Sequence, residues 1–524
     1  MEDFHFPRRA LLASALSSLA APAIATGPAR TLRYRATLDL VTLDPVATIS
    51  TPAFEAAFLI YDCLFGLDSA LMPQPQMVDR YETEPDGLTW RFTLRDGLRF
   101  HDGEPVRAQD AVASIARWAA RDRVGHVLQS RLAEIRPRDD RSFEIRLTRP
   151  FPRMLTSLAT SNLFVMPEHV AAHTPAIVPV TDHTGSGPYI FQPGEWVSGA
   201  HAAFRRNPAY QPRQEPPAYL AGGKMAYLDR IEWTIIPDSA TASAALQNDE
   251  VDLIHVADID NLPILRRNQN IVIERLNTFG NTAELCFDTL VPPLNDPALR
   301  HAMLLTVDQE DCMRAVVGAQ SDLMRTGIGV FAPDTPLATD AGLEILTAPR
   351  DRPRDRPRDR QRARQAIRDS GYDGQRIAFM IPTDVPAMLA FGNVIHQSLK
   401  DAGLNIDYQA VDWGTLVSRR NQVDNGSWNA YITVNPGQYS TPATHYFLDS
   451  AYYHDKTMET LRDAWYEAPD LVAEKRAAER IQRRYLENPP TLPLGQYYTP
   501  SAYRRTLTDL IPAPWAIFWN AKKS

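Results

Sequence analysis

The sequence predicts an α/β protein of two or three domains, and three observations carry that reading. A chain of 524 residues exceeds what one hydrophobic core holds, so it divides into domains each large enough to bury its own. Its 44% hydrophobic and 23% charged residues are those of an ordinary globular protein. Strand and helix patterns alternate along it, most openly in a βαβ unit with strands at 377–381 and 406–410 around a helix at 387–402. The net charge of −8 argues against nucleic acid as the main partner.

The first 25 residues read as a secretory signal peptide. Arg8-Arg9 precede an apolar run from Ala10 to Ala21, and Pro22-Ala23-Ile24-Ala25 supplies an A-x-A cleavage site. The run is too short to span a bilayer of ~30 Å as a helix. Paired arginines followed by Leu11-Leu12 resemble a twin-arginine signal, from which Pro7 and Ala10 depart; Sec and twin-arginine export both stay open. The mature chain then starts near Thr26, in the periplasm. Cys63, Cys286 and Cys312 allow at most one disulfide, and no C-x-x-C occurs.

Residues 31–44 alternate apolar and polar and end on Asp44-Pro45, a strand feeding a loop. Phe54, Phe58 and Tyr61 mark one face of a helix. Residues 88–100 read as a hairpin turning at Asp96-Gly97. A second turn at Asp102-Gly103 precedes a helix at 108–120, whose first turn lacks a capping side chain because Arg107 stands before it. Ser142 to Leu147 is a further strand. The Gly185-Ser-Gly-Pro turn calls for glycine's freedom at positive φ, and Tyr189, Ile190 and Phe191 follow as a buried strand. Asp296 with Pro297, and Asp308, each cap a helix. DRPRDRPRDR, 351–360, is a low-complexity exposed loop.

Several of these blocks, in this order, resemble the family 5 extracellular solute-binding proteins of ABC importers, the dipeptide, oligopeptide and nickel binder group. GSGPYIFQPGEWVSGAHAAFRRNPAY carries the family's G-(S/T)-G-P … W … G … RN-x-x-Y pattern, and LRDGLRFHDGEPVRAQDAV its F-H-D-G turn, with Arg107 for the usual Thr. ALQNDEVDLIHV, ELCFDTLVPPLNDPALRHAMLLTVDQEDC, RARQAIRDSGYDG, Trp413-Gly414-Thr415-Leu416 and LPLGQYYTPSAYR extend the resemblance over the whole mature chain. It implies a two-lobed periplasmic binding protein (type II, cluster C-like) with an extra inserted domain. Residues 26–65, 185–283 and 494–524 would form lobe 1, 66–184 the insert and 284–493 lobe 2.

No catalytic signature is present: no G-x-S-x-G, H-E-x-x-H, S-x-x-K, P-loop or G-x-G-x-x-G. His101 reads as a turn residue. His169 and His173 share a helical spacing without a third ligand, so no metal site and no cofactor are expected. The resemblance implies instead a ligand cleft built from Thr48, Ile49 and Ser50 in the first lobe, Trp413, the segment from Asn435 to Thr441, and Tyr497 with Tyr498. In peptide-binding members an aspartate in that segment pairs with the ligand's ammonium. Here the segment reads NPGQYSTP; with Tyr439 and Pro442 as anchors, Gln438 takes the aspartate's place and Asn435 a tryptophan's. A neutral amide cannot neutralise a buried ammonium, which costs several kcal/mol unpaired. With the register shifted by a few residues, Asp412 or Asp424 takes that role.

The expected function is therefore capture of a small polar organic solute, peptide-like or related, by lobe closure, and its delivery as a monomer to a membrane permease. A carrier of a metal or metallophore with the same fold, or a secreted hydrolase, are the alternatives.

Overall fold

The computed structural model describes residues 30–48, 50–160, 162–347, 356–422 and 426–524. The signal-peptide reading, Ile49 and Asp424 lie outside the described residues. Two large sheets organise the chain. The first has seven strands in the order Ile271–Glu274, Ser501–Arg504, Leu253–Ile254, Thr31–Ala36, Arg230–Ile235, His201–Arg206 and Tyr189–Phe191. Thr31–Ala36 runs parallel to both of its neighbours, and Leu32, Tyr34 and Ala36 point into the core as the alternation requires. Helix Thr51–Ile60 packs there, with Phe58 against Trp515 and Trp519.

The second sheet has six strands in the order Met324–Arg325, Thr491–Tyr497, Asn281–Phe287, Ala430–Pro436, Ile377–Pro382 and Ile406–Val411. The βαβ unit lies at its edge: Ile377–Pro382 pairs in parallel with Ile406–Val411 across helix Pro386–Asp401. Asp296 caps helix Pro297–Met303 by accepting from the Ala298 N–H, and Asp308 caps Gln309–Val317. The chain crosses between the two sheets twice, at 275–280 and at 498–500. The second crossing follows Tyr497, because Thr491–Tyr497 pairs with Asn281–Phe287 along its length. Two lobes joined by two short crossovers result.

Between the first lobe's helix and Tyr189 the chain builds a four-stranded antiparallel sheet, Val78–Thr83, Thr89–Leu94, Ser142–Leu147 and Leu132–Pro137 in that order, covered by helix Ala108–Ala119. A buried ion pair seats this unit on the first lobe. Arg117 of the helix donates to both carboxylate oxygens of Asp44, at 3.1 and 2.7 Å, and Asp44 also accepts from the Val180 N–H.

Three local readings change and one, the missing Arg107 cap, is extended. Thr89–Leu94 forms no hairpin with residues 98–100, because Val78–Thr83 and Ser142–Leu147 already fill both of its edges. Leu98 and Phe100 enter the core instead. Gly185 and Gly187 are not at positive φ; a Cβ on Gly185 would stand 1.7 Å from the Ile60 carbonyl oxygen and one on Gly187 2.6 Å from that of Leu59, so close backbone approach requires them. Helix Ala108–Ala119 has no side-chain cap from Arg107, yet Asp110 folds back to accept from the Arg107 N–H at 2.7 Å. Of the Asp-Arg-Pro repeat, residues 351–355 lie outside the described residues, and Arg356 onward is helix Arg356–Asp369. Pro357 falls in its first turn, where a missing N–H costs nothing. The three cysteines are buried and form no disulfide with one another.

Candidate ligand-binding crevice

Strand direction gathers the expected second-lobe residues. Ala430–Pro436, Ile377–Pro382 and Ile406–Val411 run the same way, and Thr491–Tyr497 ends at the same edge, where Asn281 pairs with both Pro436 and Tyr497. Asn435, Gln438, Tyr439, Trp413 and Tyr497 therefore all sit at or just past the carboxyl ends of their strands. In open α/β sheets ligands bind at that edge.

Each is held differently. Asp412 caps helix Trp413–Arg420 through the Thr415 N–H, and the Trp413 N–H donates to Asp384 at 2.9 Å. Asn435 donates to Glu284 at 2.7 Å; the same buried carboxylate accepts from Thr491 at 3.2 Å and faces His445 Nε2 at 3.3 Å. Tyr497 is buried against Phe391, its ring centroid 5.7 Å away, so its role is packing under the crevice. Gln438 is buried, and neither atom of its side-chain amide has a hydrogen-bond partner among the described residues. Asp412, the alternative from a shifted register, is exposed and caps its own helix. Arg420, half-buried among three rings, is a second polar feature of this lobe. Its guanidinium lies 5.6 Å from the Trp413 centroid, 5.6 Å from Tyr431 and 5.8 Å from Tyr446, and its Nε has no hydrogen-bond partner among the described residues.

The first lobe meets this edge through a residue the sequence reading missed. Trp515 packs on Phe54 and Phe58 of helix Thr51–Ile60, stacks on Tyr219, and reaches Tyr439 of the second lobe at 6.4 Å, edge to face. Glu55 of that helix steadies its segment by accepting from the Ala516 N–H at 2.9 Å and from Tyr34 at 3.0 Å; burial pushes the Glu55 carboxyl up to about 7. Trp515 stands in an aperiodic stretch, LIPAPWAIFWN, so no pattern pointed to it. Ser50 precedes the helix: its carbonyl accepts from the Phe54 N–H at 3.2 Å, its side chain makes no cap bond, and its N–H donates to the Thr48 hydroxyl. A cavity of about 990 Å³ opens beside the crossover, lined by Arg213, Tyr219, Met225, Phe279, Ile511 and Lys522 among others, and none of the expected residues lines it.

The three histidines singled out in the sequence each have partners within the protein. His101 joins the four-stranded unit to the Gly185–Gly187 turn: its Nε2 stands 3.1 Å from the Gly187 carbonyl and its Nδ1 accepts from the Gly185 N–H at 3.4 Å, while burial pushes its pKa down to about 4. His169 and His173 are exposed; the first pairs with Asp182 and the second with the His169 carbonyl.

The crossovers are closely knit. Asn277 accepts from the Phe279 and Gly280 N–H groups, Gln496 donates to the Phe279 carbonyl at 2.6 Å, and the Gly437 N–H donates to the Gly280 carbonyl. Gln438 thus follows directly on a residue bonded to the crossover.

Residues 72–458 match the family model described as bacterial extracellular solute-binding proteins, family 5 Middle. A probable peptide ABC transporter periplasmic-binding protein of Sinorhizobium fredii is 36% identical over 93% of this chain and 92% of its own. Among solved structures, a dipeptide-binding protein of Pseudoalteromonas in complex with Met-Leu superposes with a TM-score of 0.76 at 17% identity, over 94% of this chain and 100% of that one. The agropinic-acid complex of AgaA from A. tumefaciens gives 0.74 at 19%, over 94% and 99%. The two-lobed α/β fold with its additional four-stranded unit and the match over most of the chain agree: this protein belongs to family 5 of the bacterial extracellular solute-binding proteins.

Proposed function

We propose that the chain is the periplasmic receptor of an ABC importer for a peptide-like solute that has no free ammonium group. Exported and processed near Thr26, it binds as a monomer, closes its lobes about the two crossovers and presents the solute to a membrane permease. Membership of the family and the likeness to a probable peptide-binding protein support the transport reading. The observation that carries the ligand class is Gln438: a buried carboxamide with no partner among the described residues, at the crevice edge beside the crossover. Buried amides are hydrogen-bonded in folded proteins, so this one supplies an NH2 donor and a carbonyl acceptor to whatever fills the crevice. It matches an acylated nitrogen, an amide or a hydroxyl, and offers an ammonium no counter-charge. The Arg420 guanidinium beside Trp413 favours an anionic or carboxylate end on the same ligand.

Native mass spectrometry of the mature chain from Thr26, before and after gentle unfolding, tests this. A released small molecule of peptide-like mass, without a primary amine reactive to acylating reagents, is the expected result. Release of an unmodified peptide with a free N-terminus would overturn the ligand class. If the chain is empty and no compound in a solute library raises its melting temperature, the receptor reading fails.

A further inference from the structure

The four-stranded unit sits on the first lobe, yet its far side is gripped by the second. Arg149 pairs with Glu467 at 3.2 Å and Arg153 with Glu474, while Arg153 also donates to the Ala468 carbonyl at 3.0 Å. Glu467 and Glu474 belong to the helix pair Lys456–Tyr466 and Leu471–Glu487 and its connection. Arg131 is buried between the two parts, its guanidinium 4.8 Å from the Phe151 centroid and 5.9 Å from that of Tyr466, with Glu467 3.9 Å away. Phe151 and Tyr466 are themselves buried, 6.4 Å apart, and through them the hydrophobic cores of the unit and of the second lobe are continuous. Arg123 adds a contact at the crevice side, 4.3 Å over the Tyr446 ring and donating to the Tyr446 carbonyl at 3.2 Å.

This contact closes a loop of rigid attachments. The unit is tied to the first lobe by Arg117–Asp44 and His101, the first lobe to the second by the two crossovers, the Trp515–Tyr439 contact and the Arg266–Gln320 hydrogen bond, and the second lobe to the unit by these arginines. Any rotation of the lobes about the crossovers must part Arg153 from Glu474 and bare Phe151 and Tyr466. The two ion pairs are unequal. Arg149 and Glu467 are each about half exposed (52% and 53%), where a pair contributes little and salt screens it. Arg153 and Glu474 are each 12% exposed, where losing one partner strands the other charge.

We propose that the inserted unit is a latch: it holds the second lobe in the closed arrangement through Arg153–Glu474 and the Phe151–Tyr466 contact, independently of ligand. The proposal rests on the lobe-closure reading above and adds that closure has a second contact surface away from the crevice. Part of the closing free energy then comes from the protein itself, which raises the apparent affinity for any solute by the closed fraction it maintains.

The test uses the full mature chain without ligand, followed by small-angle X-ray scattering, with circular dichroism to confirm folding. Glu474→Arg and Arg153→Glu each shift the radius of gyration upward, and the double exchange E474R/R153E moves it back toward wild type. Because a reversed charge in a nearly buried site can unfold the contact region, the exposed Arg149 gives a second arm: R149E, which leaves Glu467 beside Arg131, shifts the radius upward but less than E474R. Unchanged radii in both single reversals, with the wild type already open, would overturn the latch and leave lobe closure standing. Identical compact radii in every variant and in ~1 M salt, where the Debye length is about 3 Å, would mean the lobes do not separate, and the closure reading would fail with it.

Discussion

Both ring nitrogens of His101 are committed to backbone groups of one turn, and that commitment makes it acid-sensitive. Nε2–H faces the Gly187 carbonyl and Nδ1 accepts from Gly185, so only the neutral ring fits. The folded-state pKa of about 4 lies below the ordinary histidine value near 6.5. Between those values the unfolded chain binds the extra proton, so stability falls as pH drops from about 6.5 toward 4 and is fully present above that range. His101→Gln keeps one donor and one acceptor without a titrating proton. Wild type should lose about 2 kcal/mol more than H101Q between pH 7 and pH 5 in urea titrations; equal losses would remove His101 from the acid response. The neighbouring glycines show what sequence reasoning reaches here and what it does not. That glycine is required at 185 was legible; the reason was not, because it lies in the approach of helix Thr51–Ile60, more than a hundred residues earlier in the chain.

At the scale of elements, local chemistry was readable and pairing partners were not. Asp296 with Pro297, Asp308 and the βαβ unit follow from caps and periodicity within a few residues. The hairpin at Asp96-Gly97 failed because turn signals say where a strand ends, while free edges elsewhere decide what it pairs with. In the candidate site Trp413, Asn435, Gln438 and Tyr439 do converge on one sheet edge, whereas Tyr497 turns inward to Phe391 and Trp515 carried no signal. The ion pair that seats the inserted unit is likewise long-range, spanning Asp44 to Arg117. Asp44→Asn leaves the Arg117 guanidinium buried without its counter-charge, and such a loss costs about 3–5 kcal/mol. Hydrogen exchange should speed up first in helix Ala108–Ala119 and around Val180, ahead of the two large sheets. A cost under about 1 kcal/mol, with exchange unchanged, would show that apolar packing alone seats the unit.

For the molecule as a whole, the two crossovers decide whether the lobes act as one body or two. Gly280 lies in the first at φ +62, and a Cβ there would meet the Tyr497 carbonyl oxygen and the Tyr498 ring, each at 2.8 Å. Gly280 also accepts from the Gly437 N–H, so it links the crossover to the loop that carries Gln438. Gly280→Ala imposes a left-handed conformation costing about 1–2 kcal/mol on a residue with a side chain and crowds the second crossover as well. Neither large sheet loses a buried contact, since Gly280 precedes the Asn281–Phe287 strand. The strain should therefore be relieved by a changed angle between the lobes rather than by unfolding either. G280A should melt within a few degrees of wild type, scatter with a different radius of gyration, and retain less co-purified solute in native spectra. A variant that melts much lower while its remaining folded fraction keeps the wild-type radius and full solute occupancy would place Gly280 in the core of one lobe's stability, and the pivot would then have to be sought in 498–500 alone.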